Sequence, residues 1–174
     1  MNATFRGLVG IGIALALSTV MSAKGETTKI TVAGATLANP IEITDTTIVR
    51  QFQVWTGPGT QACSGGHCVE GTEGFIVDWS SGAVAQKPSG LRHYEVSFYV
   101  TDARLPGQPG PEHLAYVVSY EYDTAASRGY VYLPGKDDPW YSLNAGSIYR
   151  DLEGRWFRAT HAWQDAVVPL LAQR

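Results

Sequence analysis

The sequence predicts an α+β fold: an antiparallel β-sheet meander with one or two short helices, in a single domain. Three observations lead there. First, runs in the middle of the chain alternate with the period of two that marks a strand with one buried face. Over residues 92–100, Tyr94, Val96, Phe98 and Val100 share one face, and His93, Glu95, Ser97 and Tyr99 share the other. Over 114–122, Leu114, Tyr116, Val118 and Tyr120 alternate with Ala115, Val117, Ser119 and Glu121, and 129–133 reads as a third strand. Second, turn-forming clusters separate these runs: Pro106-Gly107-Gln108-Pro109-Gly110-Pro111, then residues 123–128. Intervals that short favour antiparallel pairing over parallel crossovers. Third, helix-start signals are few. Asp45 precedes a helix expected over 46–54, and Thr160 precedes one over 161–168.

The chain has 174 residues, 44% apolar and 17% charged, with a net charge of -3. That length supports one domain with its own core. Scattered, outnumbered Lys and Arg argue against a nucleic-acid partner, which requires a basic face.

The N-terminus has the three parts of a secretory signal peptide. Arg6 is the only charged side chain before Lys24, an apolar run follows from Leu8, and the small residues Ser22 and Ala23 close it. The expected division is residues 1–23 as signal peptide and 24–174 as one globular domain, exported to the periplasm or secreted. No later apolar run is long enough to leave a transmembrane segment in the mature chain.

Export gives the cysteines their meaning. Cys63 and Cys68 flank Ser64-Gly65-Gly66-His67, and an oxidising compartment with an even cysteine count favours a disulfide. The competing reading uses Cys63, His67 and Cys68 as metal ligands, but a structural zinc site needs a fourth. A bridge closing so short a loop removes little chain entropy.

In chain order, residues 28–33 and 41–44 read as short β-branched strands. The Thr46-Thr47-Ile48-Val49 run lowers the propensity of the helix after Asp45. Residues 74–79 read as a strand. Leu133-Pro134-Gly135-Lys136 fits a type II turn, with Gly where φ must be positive. Residues 140–143 read as a fourth meander strand and 155–158 as another. Pro169 is expected to end the last helix.

The pattern Ile30-Thr31-Val32-Ala33-Gly34 with Pro40-Ile41-Glu42-Ile43-Thr44-Asp45, Gly129-Tyr130-Val131-Tyr132-Leu133-Pro134-Gly135 and Glu153-Gly154-Arg155-Trp156-Phe157 resembles an uncharacterised family of small exported bacterial proteins. The resemblance covers most of the mature chain. It implies no activity, and no functional residue is carried over.

No spacing required by known chemistry is present: no phosphate loop, no Gly-x-Ser-x-Gly elbow, no His-Glu-x-x-His. No catalytic residue, metal or cofactor is assigned. Asp137-Asp138 lacks the alternate spacing of a calcium loop. Nine Tyr and five Trp point instead to an aromatic-rich sheet surface. Flat apolar faces with polar edges stack on sugars and hydrophobic peptides. The candidate ligand-binding residues are Trp140 and Tyr141, beside the turn at 136–139, and His93, Glu95 and Glu121 on the polar strand face. The reading that follows is an exported non-catalytic domain binding a small ligand, glycan or envelope protein. The alternatives are a structural subunit of the cell envelope, or a hydrolase using the two Glu carboxylates. The alternation also fixes a register: Val100 opposite Leu114, Phe98 opposite Tyr116, Val96 opposite Val118, and His93 opposite Glu121.

Overall fold

The computed structural model describes residues 25–35, 37–64, 67–71, 74–105 and 108–172, with backbone alone at 62–64, 67–70, 103–105, 108 and 109. Residues 1–23, expected from the sequence to be a signal peptide, lie outside the described residues. The elements are β1 (Glu26–Gly34), β2 (Ile41–Ile43), α1 (Thr46–Val49), β3 (Gln61–Ser64), β4 (His67–Glu70), β5 (Arg92–Leu105), β6 (Gln108–Asp123), β7 (Arg128–Leu133), α2 (Tyr141–Ser147), β8 (Arg155–Arg158) and α3 (His161–Ala172). Six strands form one sheet in the order β2-β1-β5-β6-β7-β8, with antiparallel neighbours throughout. The expected α+β class, with the 92–133 meander at its centre, is what the chain forms. β3 and β4 make a separate hairpin.

Alternation builds the core. Ile30, Val32, Tyr94, Val96, Phe98, Tyr116, Val118, Tyr120, Val131 and Phe157 are buried, and pairing aligns them across five strands. One face of α3 covers them. Trp163, Val167 and Leu171, spaced four apart, are its buried residues. Trp163 meets Phe52 edge-on at 5.2 Å and Tyr120 at 6.0 Å.

The β5–β6 register matches expectation from His93 opposite Glu121 to Phe98 opposite Tyr116. It then shifts by one, so that Tyr99 faces Leu114 and Val100 faces His113. The extra residue is Ala115, a β-bulge in β6. β6 begins at Gln108 and so takes in the last four residues of the expected turn cluster; before Val117 it has no second strand beside it, and Pro109 and Pro111 are tolerated at a free edge.

Other expectations give way to local physics. α1 stops at Val49 rather than 54, its β-branched run sustaining a single turn. Asp45 still caps it, its Oδ1 accepting from Thr47 N at 2.8 Å. Residues 74–79 contribute one bridge, Val77 to Ala159, before a 3-10 turn over Trp79–Ser81. Asp78 caps that turn, accepting from Ser80 and Ser81. The turn after β7 closes between Gly135 O and Asp138 N at 2.9 Å, and Gly135 is not among the positive-φ glycines, so it is not type II. Gly135 is needed for space: a Cβ there would lie 2.9 Å from Gly154 Cα. Residues 141–147 are helix α2, not a fourth meander strand. Pro169 lies inside α3, whose last turn continues because Leu171 is only 7% exposed and holds it to the core.

One internal cation organises the loops. Arg150, 2% exposed, donates Nη1 to Thr56 O at 2.5 Å and Nη2 to Val54 O. Its Cζ lies 5.0 Å from the Phe75 ring, 5.3 Å from Trp79 and 5.4 Å from Tyr116. Among the described residues no carboxylate ion-pairs with it; burial pulls the guanidinium below its usual range. Glu153 supplies charge at longer range while accepting the Arg150 and Leu152 amides. Gly57 lets this cluster close, since a Cβ there would sit 2.8 Å from Arg150 Nη1 and 2.6 Å from Trp79 Nε1.

Candidate functional site

The sheet face away from α3 is polar, and the register arranges it as two rows across the strands. One row runs Ala33, Glu95, Ser119, Tyr132, Trp156. The next runs His93, Glu121, Tyr130, Arg158. Each residue is the direct cross-strand neighbour of the next, close enough for side chains to interact.

Four of the five candidate residues engage within this grid. His93 Nδ1 lies 3.5 Å from Glu121 Oε1. The other Glu121 oxygen accepts from Lys87 Nζ at 2.5 Å, and the Lys87 ammonium sits 4.5 Å from the centre of the Trp156 ring. Lys87 thus reaches from β8 to β6, across the width of β7. Glu95 Oε2 accepts from Trp140 Nε1 at 2.7 Å. The fifth, Tyr141, is half-buried and opens α2.

Trp140 is 41% exposed and has φ 68, a left-handed conformation that side-chain-bearing residues seldom adopt. Such geometry persists only where surrounding contacts hold it. Here the indole N–H is tied to Glu95 and the following helix begins at the next residue. α2 is itself fixed to the sheet by Asn144, which is fully buried. Its side-chain amide donates to Val117 O at 2.6 Å and accepts from Val117 N at 2.9 Å. It replaces the strand that β6 lacks beyond Ser119.

Tyr132 completes the surface. Its ring lies 5.0 Å from that of Trp156, and its hydroxyl donates to Asp138 Oδ2 at 2.6 Å. Partial burial, then this carboxylate, pushes the Tyr132 phenol up to about 12. The Tyr132 hydroxyl and the Gly135 amide in turn hold the Asp138 carboxyl below its usual range. Asp138 is therefore occupied within its own turn.

Sequence reasoning missed Lys87, Tyr132 and Trp156. Tyr132 and Trp156 were readable, as the outward members of alternating strands whose inward members are Leu133 and Phe157. Lys87 lies in a loop without pattern, and nothing local marks it.

The arrangement can present flat aromatic faces beside hydrogen-bonding carboxylates and one cation. Glu95 and Glu121 project from one sheet face, each already paired, and neither lines the two clefts described next. A cleft of about 660 Å³ is lined by Phe52, Phe75, Val77 and Trp79 with Gln51 and Asp78. A second, of about 580 Å³, adjoins it across Asp78 and Thr160. None of the five candidate residues lines either cleft. No helix among the described residues is long and apolar enough to cross a membrane. No family model, curated protein or solved structure matches this chain.

Proposed function

We propose that this is an exported, non-catalytic domain whose polar sheet face binds a glycan. The observation that carries the reading is Trp140, half-exposed in a strained backbone conformation with its indole held by Glu95. An indole exposed this way gains little in folding beyond its hydrogen bond to Glu95, whereas its free face suits stacking of a sugar ring. Trp156 and Tyr132 extend the aromatic surface. Glu95, Ser119, Glu121 and Lys87 supply acceptors and donors suited to hydroxyl groups, with charges of both signs. Calorimetric titration with N-acetylglucosamine and cello-oligosaccharides tests it. Saturable binding to at least one series, weakened about tenfold or more by Glu95→Gln or Trp156→Ala, is expected from losing one hydrogen-bonding or stacking contact to the ligand. Absence of binding to both series counts against the glycan.

Two further expectations belong to this reading. Export is supported by the three-part N-terminus, and mature protein should begin within a few residues of Lys24. The disulfide is supported by the β3–β4 register, which sets Cys63 directly opposite Cys68. Directly opposed residues have Cα atoms about 4.5–5.5 Å apart, within the bridging range. The cysteine side chains lie outside the described residues, so thiol labelling without reductant is the test: quantitative labelling of both would end the idea.

Assembly through an edge strand finds less support. The outer edge of β8 is hydrogen-bonded by Asp78 N and Val84 N, β2 has three residues, and the free stretch of β6 before Val117 carries Pro109 and Pro111, which block strand addition. Covered or very short edges recruit partners poorly.

A further inference from the structure

The cleft of about 580 Å³ collects basic side chains from three elements: Arg128 at the start of β7, Arg158 at the end of β8 and His161 at the start of α3. Pairing explains their proximity. Arg158 lies opposite Tyr130, and Arg128 is two residues before Tyr130 on the same strand, so the two arginines are diagonal neighbours on one face. Like charges placed so repel, and the chain as a whole is net negative.

Neither guanidinium has a carboxylate within ion-pair distance among the described residues. One acid does line the cleft, Asp78, but its oxygens are consumed. Oδ1 accepts from Ser80 N at 3.1 Å, Ser80 Oγ at 2.6 Å and Ser81 N at 3.3 Å, and Oδ2 accepts from Ser81 Oγ. Those bonds turn the carboxylate toward its own 3-10 turn and hold its pKa below the usual range. Arg128 and Arg158 are exposed, and among the described residues neither guanidinium donates to a protein acceptor; Asp123, directly opposite Arg128, accepts instead from the Ala125 and Ala126 amides. Ser127 and Thr160 add hydroxyls to the wall.

We infer that this cleft binds the oxyanion of a small ligand, a phosphate or a carboxylate, through Arg128 and Arg158. Planar guanidinium forks match either group by paired N–H···O bonds, which lysine cannot reproduce. The positive end of α3, at His161, opens on the same space and favours the same charge. The inference is independent of the glycan reading. Arg158 is two residues from Trp156, roughly 7 Å along β8, so one ligand can span both sites.

The test is an amide-shift titration of the isotope-labelled protein with inorganic phosphate and, separately, glucuronate, at ionic strength held constant with chloride. Saturable shifts at Ser127, Arg128, Arg158 and His161 are expected with at least one probe. Tighter phosphate binding identifies a phosphorylated ligand, and tighter glucuronate binding a carboxylate one. Arg128→Gln with Arg158→Gln should weaken binding at least tenfold while the rest of the spectrum is kept. If that variant does not fold, Arg158→Lys should still weaken it severalfold. Shifts that never saturate, or affinity unchanged in the folded variants, would overturn the site.

Discussion

On the face of the sheet toward α3, Phe98 meets Phe75 ring to ring at 5.1 Å and Tyr120 meets Trp163 at 6.0 Å. On the opposite face, built by the same strands, Glu121 holds Lys87 and Glu95 holds Trp140. The first set is buried and its interactions are close packing and area removed from water. The second is partly wet, and its interactions are one ion pair, Lys87 with Glu121, and one hydrogen bond from the neutral Trp140 indole to Glu95, both weakened by competing water. Stability resides mainly on the first face, which leaves the second less constrained by folding. A face that contributes little to folding is free to keep strained and exposed residues such as Trp140.

Breaking the core face should have the largest effect. Trp163→Ala leaves a cavity between Phe52 and Tyr120 and should lower unfolding free energy by about 3–5 kcal/mol, read by chemical denaturation. Arg150→Met comes next. It leaves the Val54 and Thr56 carbonyls without their donor, each costing about 1–3 kcal/mol if it stays buried. Hydrogen exchange should quicken first in the 54–60 loop. Normal exchange there would mean the arginine does not hold it.

The polar face should respond more weakly by the same assay. Lys87→Met leaves the Glu121 carboxylate, only 12% exposed, without its ammonium and should cost about 1–3 kcal/mol, still less than the core truncation. A loss as large as that of Trp163→Ala would erase the distinction between the faces.

The smallest effect expected is the pH response. Asp45, Asp78 and Asp138 have carboxyls held below the usual value of 3.8 by hydrogen bonds from Thr47, from Ser80 and Ser81, and from Tyr132 and Gly135. Lowered folded-state values mean that their stabilisation is fully present above the ordinary value and is lost as pH falls through the folded ones. Thermal midpoints should therefore hold steady at pH 5 and decline below about pH 4. Asp138→Asn should flatten part of that decline. Equal slopes in both proteins would remove Asp138 from the account.

The legible part of the fold was the part written in alternation. Residues 92–98 and 116–121 carry a strict period of two, and their register, including His93 opposite Glu121, follows from it. The bulge at Ala115 has no such signature, because a small apolar residue fits both a regular strand and a bulge. α2 was unreadable for a different reason. Tyr141-Ser142-Leu143 has no helical stripe, and what makes it helical is the tertiary contact of Asn144 with Val117. Within the candidate site, Glu95 and Trp140 were each visible in sequence, yet only the fold brings residues 45 positions apart into a hydrogen bond.

The most direct test of the division between the faces is Trp140→Ala, with unfolding free energy and oligosaccharide affinity measured on the same preparation. The account predicts stability within about 1 kcal/mol of the parent, the scale of an exposed hydrogen bond, and affinity reduced at least tenfold. Unchanged affinity, or a stability loss of about 3 kcal/mol or more as for a core truncation, would contradict it.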